Sequence, residues 1–231
     1  IHGISARSTC NLSCRWGDEA EVAINRRSFF KAVGVGRGKV VTLNLQHGDN
    51  IAVIKNIADR INDLEADAVI TNHKKTFLFF PLGDCYPIFY FDPIQKAIGL
   101  AHLGWRGAVA NLHLRVVEKM EKEFGTRIPD LLIGLGPGIC EKCNHQPRPL
   151  VQEGRAEWRP YLRDLGKSKV CVDLLGFCRD SLVATGVKRE RIEISGLCTA
   201  ENFLDFFSER AVETGADSEP MGRFGAIIGM K

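Results

Sequence analysis

The sequence predicts one α/β domain over residues 1–231, in which strands and helices share a single core. Three observations lead there. With 231 residues, 45% of them hydrophobic and 26% charged, the chain can bury a sizeable core and is unlike a disordered or fibrous protein. Short apolar runs bounded by turn residues, among them Thr76 to Pro81, Tyr86 to Phe91 and Ala97 to Ala101, read as buried strands. Longer stretches repeat their apolar residues at helical spacing, most clearly Ala108 to Phe124.

Taken in order, Ile1 to Arg7 does not have the make-up of a signal peptide. Cys10-Asn11-Leu12-Ser13-Cys14 begins like the Cys-x3-Cys-x2-Cys loop that holds an iron–sulfur cluster, but the third thiolate would fall at Gly17, so the pair is read as ordinary thiols. From Asp18 an amphipathic helix of about 16 residues has a broken apolar face of Ala20, Val22, Ala23, Ile24, Phe29, Phe30 and Val33, carries acids in its first turn and stops at Gly34 and Gly36. It bears Asn25-Arg26-Arg27. An Arg fixed on a helix suits a bidentate clamp for phosphate or carboxylate, and two solvated arginines are the plain alternative.

Lys39 to Leu45 and Ile51 to Ile54 read as strands flanking a loop with His47, Ile57 to Leu64 as a short helix, and Ala68 to Thr71 as a strand. Asn72-His73-Lys74-Lys75 is a turn. The helix from Ala108 to Phe124 turns Val109, Leu112, Val116, Val117, Met120 and Phe124 inward, and its start beside His102 suits an anion. Leu131 to Leu135 is a strand running into Gly136-Pro137-Gly138-Ile139, which lacks the dinucleotide fingerprint and implies only a close backbone approach to a ligand. Pro147 to Lys169, with three prolines and many charges, reads as a peripheral helix-and-loop insertion. Leu174 to Ala184 is a helix burying Cys178, Arg191 to Ser195 a strand, Glu213 to Pro220 a polar loop, and Gly222 to Met230 the last strand.

The net charge of +3 is interspersed, with no basic tract and no aromatic-and-Lys stripe, so a small-molecule partner is expected and nucleic acid is not. No apolar run approaches the ~20 residues of a membrane span. The eight cysteines are expected as reduced thiols in a cytoplasmic protein, since a core this size needs no disulfide staples. No oligomer is predicted.

Chemistry gathers at strand ends. Cys85 lies between two strands, His102 ends the next, and His47 follows the run Val40 to Leu45. One Cys and two His make a set that zinc accepts while keeping a fourth position open. Three unrelated residues, a buried thiol and turn histidines, are the alternative. Cys140-x2-Cys143, with His145 beyond, is a second and weaker zinc candidate, because Cys171 and Cys178 do not supply the second pair of a zinc ribbon.

The motifs Gln46-His47-Gly48, Asp84-Cys85-Tyr86-Pro87, His102-Leu103-Gly104-Trp105-Arg106-Gly107, Gly136-Pro137-Gly138-Ile139, Gly196-Leu197-Cys198-Thr199 and Phe207-Ser208 with Gly222-Arg223-Phe224 together resemble the laccase-domain, or multicopper polyphenol oxidoreductase, family. Its members are now usually described as purine nucleoside phosphorylases. The resemblance runs from His2 to Arg7 almost to the C-terminus. It implies a compact α/β (α+β) layered sandwich of mixed sheets with flanking helices, like that of cytotoxic necrotizing factor. It also implies a zinc held by His47, Cys85 and His102.

By the same resemblance the activity is phosphorolysis of purine nucleosides, with deamination of adenosine as a second reaction at the site. His47, Cys85, His102 and Asp84 are the implied catalytic residues, Asp84 or a histidine moving the proton. Arg26, Arg106 and Gly136 are the implied substrate contacts, Arg26 placing phosphate. Three loops depart from the pattern: Asn72 to Lys75, Gly83 before Asp84, and Asn144-His145-Gln146. Two other activities stay open, an amide hydrolase editing peptidoglycan precursors and a copper phenol oxidase; the latter wants more histidines than the six present. Cys85 as ligand competes with Cys85 as nucleophile, because a metal occupies the thiolate. A metal-stabilised interaction module is the non-enzymatic alternative.

Overall fold

The computed structural model describes residues 1–36, 38–55, 64–148, 150–166 and 168–231. In chain order it forms β1 (His2–Ile4), α1 (Glu19–Ala32), β2 (Lys39–Val41), β3 (Ile51–Ile54), β4 (Ala68–Thr71), β5 (Thr76–Leu82), β6 (Tyr86–Asp92) and β7 (Ala97–Leu103). There follow α2 (Trp105–Val109), α3 (Leu112–Phe124), β8 (Leu132–Leu135), β9 (His145–Pro147), β10 (Leu162–Asp164), β11 (Lys169–Val172), α4 (Leu174–Ala184), β12 (Ile192–Ile194), α5 (Glu209–Glu213) and β13 (Phe224–Gly229).

A six-stranded sheet, β12-β8-β6-β7-β4-β3, is antiparallel at its centre and parallel at its two edges. A four-stranded sheet, β1-β13-β5-β2, packs against it. Strand alternation assigns the faces. In β7, Ala97, Ala101 and Leu103 join a core with α3 and α4, while Ile98 and Leu100 meet Leu78, Phe80 and Leu82 of β5 between the sheets. Every residue of β7 is therefore buried, which is why its sequence reads as a continuous apolar run rather than an alternating one. On the outer face of the four-stranded sheet, Phe77 and Phe79 pack on Phe29 of α1. The result is a mixed α/β sandwich with helices outside and two mixed sheets within.

Three expectations change. The helix expected from Ala108 to Phe124 is two helices, because Asn111 takes the left-handed conformation (φ 57°) between them, which Asn tolerates better than most residues. The strand expected to reach Leu45 stops at Val41. The stretch from Pro147 to Lys169 is not peripheral. It supplies the last residue of β9, all of β10 and the first residue of β11 to a three-stranded antiparallel sheet, and it buries Trp158 fully, with the indole stacked on Phe177 at 3.7 Å between centroids. The helix expected over Ile57 to Leu64 lies outside the described residues except for Leu64.

Candidate metal centre

Two of the chain's passages from one sheet to the other bring the donors together. The β5–β6 connection carries Asp84 and Cys85, and the β2–β3 connection carries His47. His102 belongs to β7, where it is buried on the face turned toward the four-stranded sheet. The Cys85 sulfur and the ring nitrogens of His47 and His102 all lie within 4.8 Å of one another. The two imidazoles meet edge to face, with centroids 4.7 Å apart. Gly104 leaves the room they need, since a Cβ there would stand 3.0 Å from the Cys85 sulfur.

Asp67, at the start of β4, organises the group. Its Oδ1 lies 2.9 Å from His102 Nδ1, and its carboxylate accepts the backbone N–H groups of Gln46, His47 and Gly48 at 3.3, 2.8 and 2.6 Å. One buried carboxylate thus fixes the His102 ring and holds the loop in which His47 adopts φ 58°. A carboxylate behind a histidine is the usual support of a metal-ligating imidazole.

The electrostatics favour an ionised pair. Burial would push the Cys85 thiol up, but His102 and His47 outweigh it and bring it down to about 6. For His102, burial lowers the pKa, and Cys85 and Asp67 together raise it to about 9. His102 as imidazolium facing a Cys85 thiolate is the form expected near neutral pH in the absence of a cation.

These donors line a cavity of about 310 Å³, within the usual range for small-molecule sites, together with Trp16, Arg26, Asn44, Asp84, Glu209 and Arg223. Arg26 and Cys14 also line a neighbouring cleft of about 770 Å³ against α1. Arg26 Nε donates to the Leu12 carbonyl at 2.8 Å and its guanidinium lies 5.2 Å from the Phe79 ring centroid, so the side chain is anchored at the cavity wall. Arg223 pairs with Glu209 at 3.2 Å and lies over the Trp16 ring.

The other sequence candidates fall elsewhere or serve differently. Asp84 lines the cavity, but its Oδ1 accepts the Thr199 and Ser208 hydroxyls at 2.7 Å each and its Oδ2 the Arg210 backbone N–H at 2.8 Å. Arg106 is exposed on α2 with its guanidinium over Trp105. Gly136 donates to the Pro87 carbonyl and leaves no room for a Cβ, which would stand 2.6 Å from the Pro87 ring. His73 contacts the Lys55 carbonyl. Cys140 and Cys143 meet Cys198, and their thiols lie within 4.8 Å of one another; His145 is not of that group. The sequence reading missed Asp67, Arg223 and Glu209. The signal for Asp67 was present: an acid inside the apolar run Ala66-Asp67-Ala68-Val69-Ile70 must be paired if it is buried.

The chain as a whole is similar to several known proteins. A purine nucleoside phosphorylase of Deinococcus radiodurans is 33% identical over 224 residues, covering 95% of this chain and 81% of its own length. Purine nucleoside phosphorylase YlmD of Bacillus subtilis is 32% identical over 170 residues, 71% of this chain but only 59% of the Bacillus protein. Adenosine deaminase RL5, from an unknown prokaryotic organism, is 28% identical over 222 residues, covering 91% of this chain and 84% of RL5. The crystal structure of YlmD from Geobacillus stearothermophilus superposes with a TM-score of 0.85 at 25% identity, over 96% of this chain and 84% of that one. The family model described as multi-copper polyphenol oxidoreductase laccase matches residues 2–231, and the chain belongs to that family.

Proposed function

We propose that this chain is a zinc enzyme of purine nucleosides, cleaving adenosine or inosine with phosphate and deaminating adenosine as a second activity. One observation carries the reading: a carboxylate-held imidazole, a second imidazole and a readily ionised thiol converge on a cavity wall that also carries Arg26 and Arg223. The names of the Deinococcus and Bacillus relatives and of RL5 point the same way.

The donors fit zinc. His47, Cys85 and His102 would hold it with three protein ligands, as in catalytic zinc sites, and Asp67 already supports His102 from behind. Copper is the weaker fit, because a copper phenol oxidase wants more imidazoles than the two gathered here. A zinc ion here would serve as a Lewis acid that makes water acidic near neutral pH.

The remaining work falls to the chain. Arg26, anchored by Leu12 and Phe79, would bind phosphate oxygens and hold the anion against C1′ while the ribosyl group gains positive charge. Arg223 would add a second positive charge to the same cavity. Asp84, with both oxygens engaged, serves as a positioning residue that fastens the wall rather than as the group that moves a proton. Arg106 and Gly136 stay outside this reading of the cavity. The eight unpaired thiols support a cytoplasmic setting.

Product analysis tests the reading. Protein of known zinc content is incubated with adenosine or inosine, with and without phosphate. Ribose 1-phosphate should appear only with phosphate, and inosine should form from adenosine without it. Free ribose as the sole sugar product would overturn the phosphorylase assignment.

A further inference from the structure

We propose that Cys140, Cys143 and Cys198 form a second metal site, a structural zinc centre distinct from the one at His47, Cys85 and His102. Their three sulfurs lie within 4.8 Å of one another. Local sequence explains two of them: in Cys140-Glu141-Lys142-Cys143 the N–H groups of Cys143 and Asn144 donate to the Cys140 carbonyl at 3.1 and 2.9 Å. That tight turn brings both thiols of the Cys-x2-Cys pair to one point, as in zinc knuckles.

Topology supplies the third. β8 and β12 run parallel, with Ile133 opposite Ile192 and Leu135 opposite Ile194, and the pairing resumes beyond them as a bridge between Gly138 and Cys198. The loops that leave the two strands therefore travel side by side. The backbone N–H of Cys140 donates to the Cys198 sulfur at 3.3 Å, which ties the two loops together at the cluster.

The chemistry selects the ion. Three sulfur donors with no carboxylate among them suit a thiophilic cation, and zinc takes such a set with one further ligand. Cys198 is buried, while Cys140 and Cys143 are partly exposed, so the fourth ligand can come from the solvent side. A disulfide would use two of the thiols and leave the third unexplained.

The site also has a consequence for the cavity. Ile139, beside Cys140, donates its N–H to the Asp84 carbonyl at 2.8 Å, and Thr199, beside Cys198, donates its hydroxyl to Asp84 Oδ1 at 2.7 Å. An ion joining Cys140 and Cys143 to Cys198 would clamp the two loops that grip Asp84, the neighbour of Cys85.

The test is metal content by elemental mass spectrometry on protein purified under reducing conditions, with intact mass on the same samples. Cys85→Ala should retain about one zinc per chain, and adding Cys143→Ser to it should remove that ion. Cobalt-loaded Cys85→Ala should show thiolate-to-cobalt charge-transfer absorption that Cys143→Ser abolishes. Cys143→Ser keeps the test open if Cys198→Ser, at a buried position, fails to fold. A metal-free Cys85→Ala protein overturns the proposal. So does an intact mass that has lost a hydrogen pair, with Cys198 linked to Cys140 or Cys143. Neither outcome depends on whether the nucleoside reaction is found.

Discussion

Asp67 carries more of the centre than any ligand does, because it orients His102 and fastens the His47 loop with the same carboxylate. Asp67→Asn keeps the shape and an acceptor oxygen but removes the charge. Loss of such a supporting carboxylate costs roughly 10–100-fold in metal affinity, and we expect that loss here with little change in the circular dichroism spectrum. Competition with a chromogenic chelator measures it; unchanged affinity would show that the carboxylate serves only the loop. Arg26 makes a separate demand. Lys in its place offers a point charge and gives up the bond to Leu12, and a charged hydrogen bond contributes on the order of 1.5–3 kcal/mol. Arg26→Lys should therefore reduce phosphate-dependent turnover roughly ten- to a hundred-fold while adenosine deamination falls much less. Equal loss of both would mean that Arg26 holds the nucleoside or the fold. At this scale the sequence was readable where a residue is conspicuous by type, as His47, Cys85 and His102 are. It marked Arg223 as part of a motif but gave it no place in the site, because Arg223 reaches the cavity through the pairing of β13 with β5.

Elements were legible where one pattern dominates. α4 and β4 have the bounds that their apolar spacing predicts. The break between α2 and α3 was missed because the apolar repeat continues through it, and only the backbone of Asn111 marks the change. Trp158 was assigned to the periphery because charges and prolines surround it, yet its indole fills the gap beside Phe177. α3 and α4 are joined by His113, whose Nε2 lies 2.7 Å from the Ser181 hydroxyl. Burial lowers the His113 pKa to about 3, against about 6.5 in an unfolded chain. The folded state therefore resists a proton that the unfolded state accepts, so His113's contribution to stability is complete above about pH 6.5 and is lost as pH falls toward 3. The slope is at most about 1.4 kcal/mol per pH unit. Denaturant melts from pH 7 to 4 should show a shallower decline for His113→Gln than for the parent chain. Parallel declines would mean that His113 titrates normally.

At the scale of the molecule, the six-stranded and four-stranded sheets are joined at the centre. Neither sheet membership nor the sites of crossing could be read in advance, because β5 and β6 follow each other like a hairpin and yet belong to different sheets. A cation bound by His47, Cys85 and His102 would tie two crossings to β7. Removing it with a chelator should speed backbone hydrogen exchange over 44–48 and 82–86 and leave α4 unchanged, as read by mass spectrometry. Uniform exchange with and without zinc would place the ion elsewhere.

The position of β13 bears on whether the centre is complete. This strand lies between β1 and β5, so the four-stranded sheet has no continuous centre until residues 224–229 have been made. Asp67 joins His102 and the His47 loop beside the six-stranded sheet, whereas Cys85 follows directly on β5, whose neighbour in the four-stranded sheet is β13. A chain that lacks residues 224–229 thus has no strand to join β1 to β5, and the wall that carries Cys85 opposite His102 is incomplete without it.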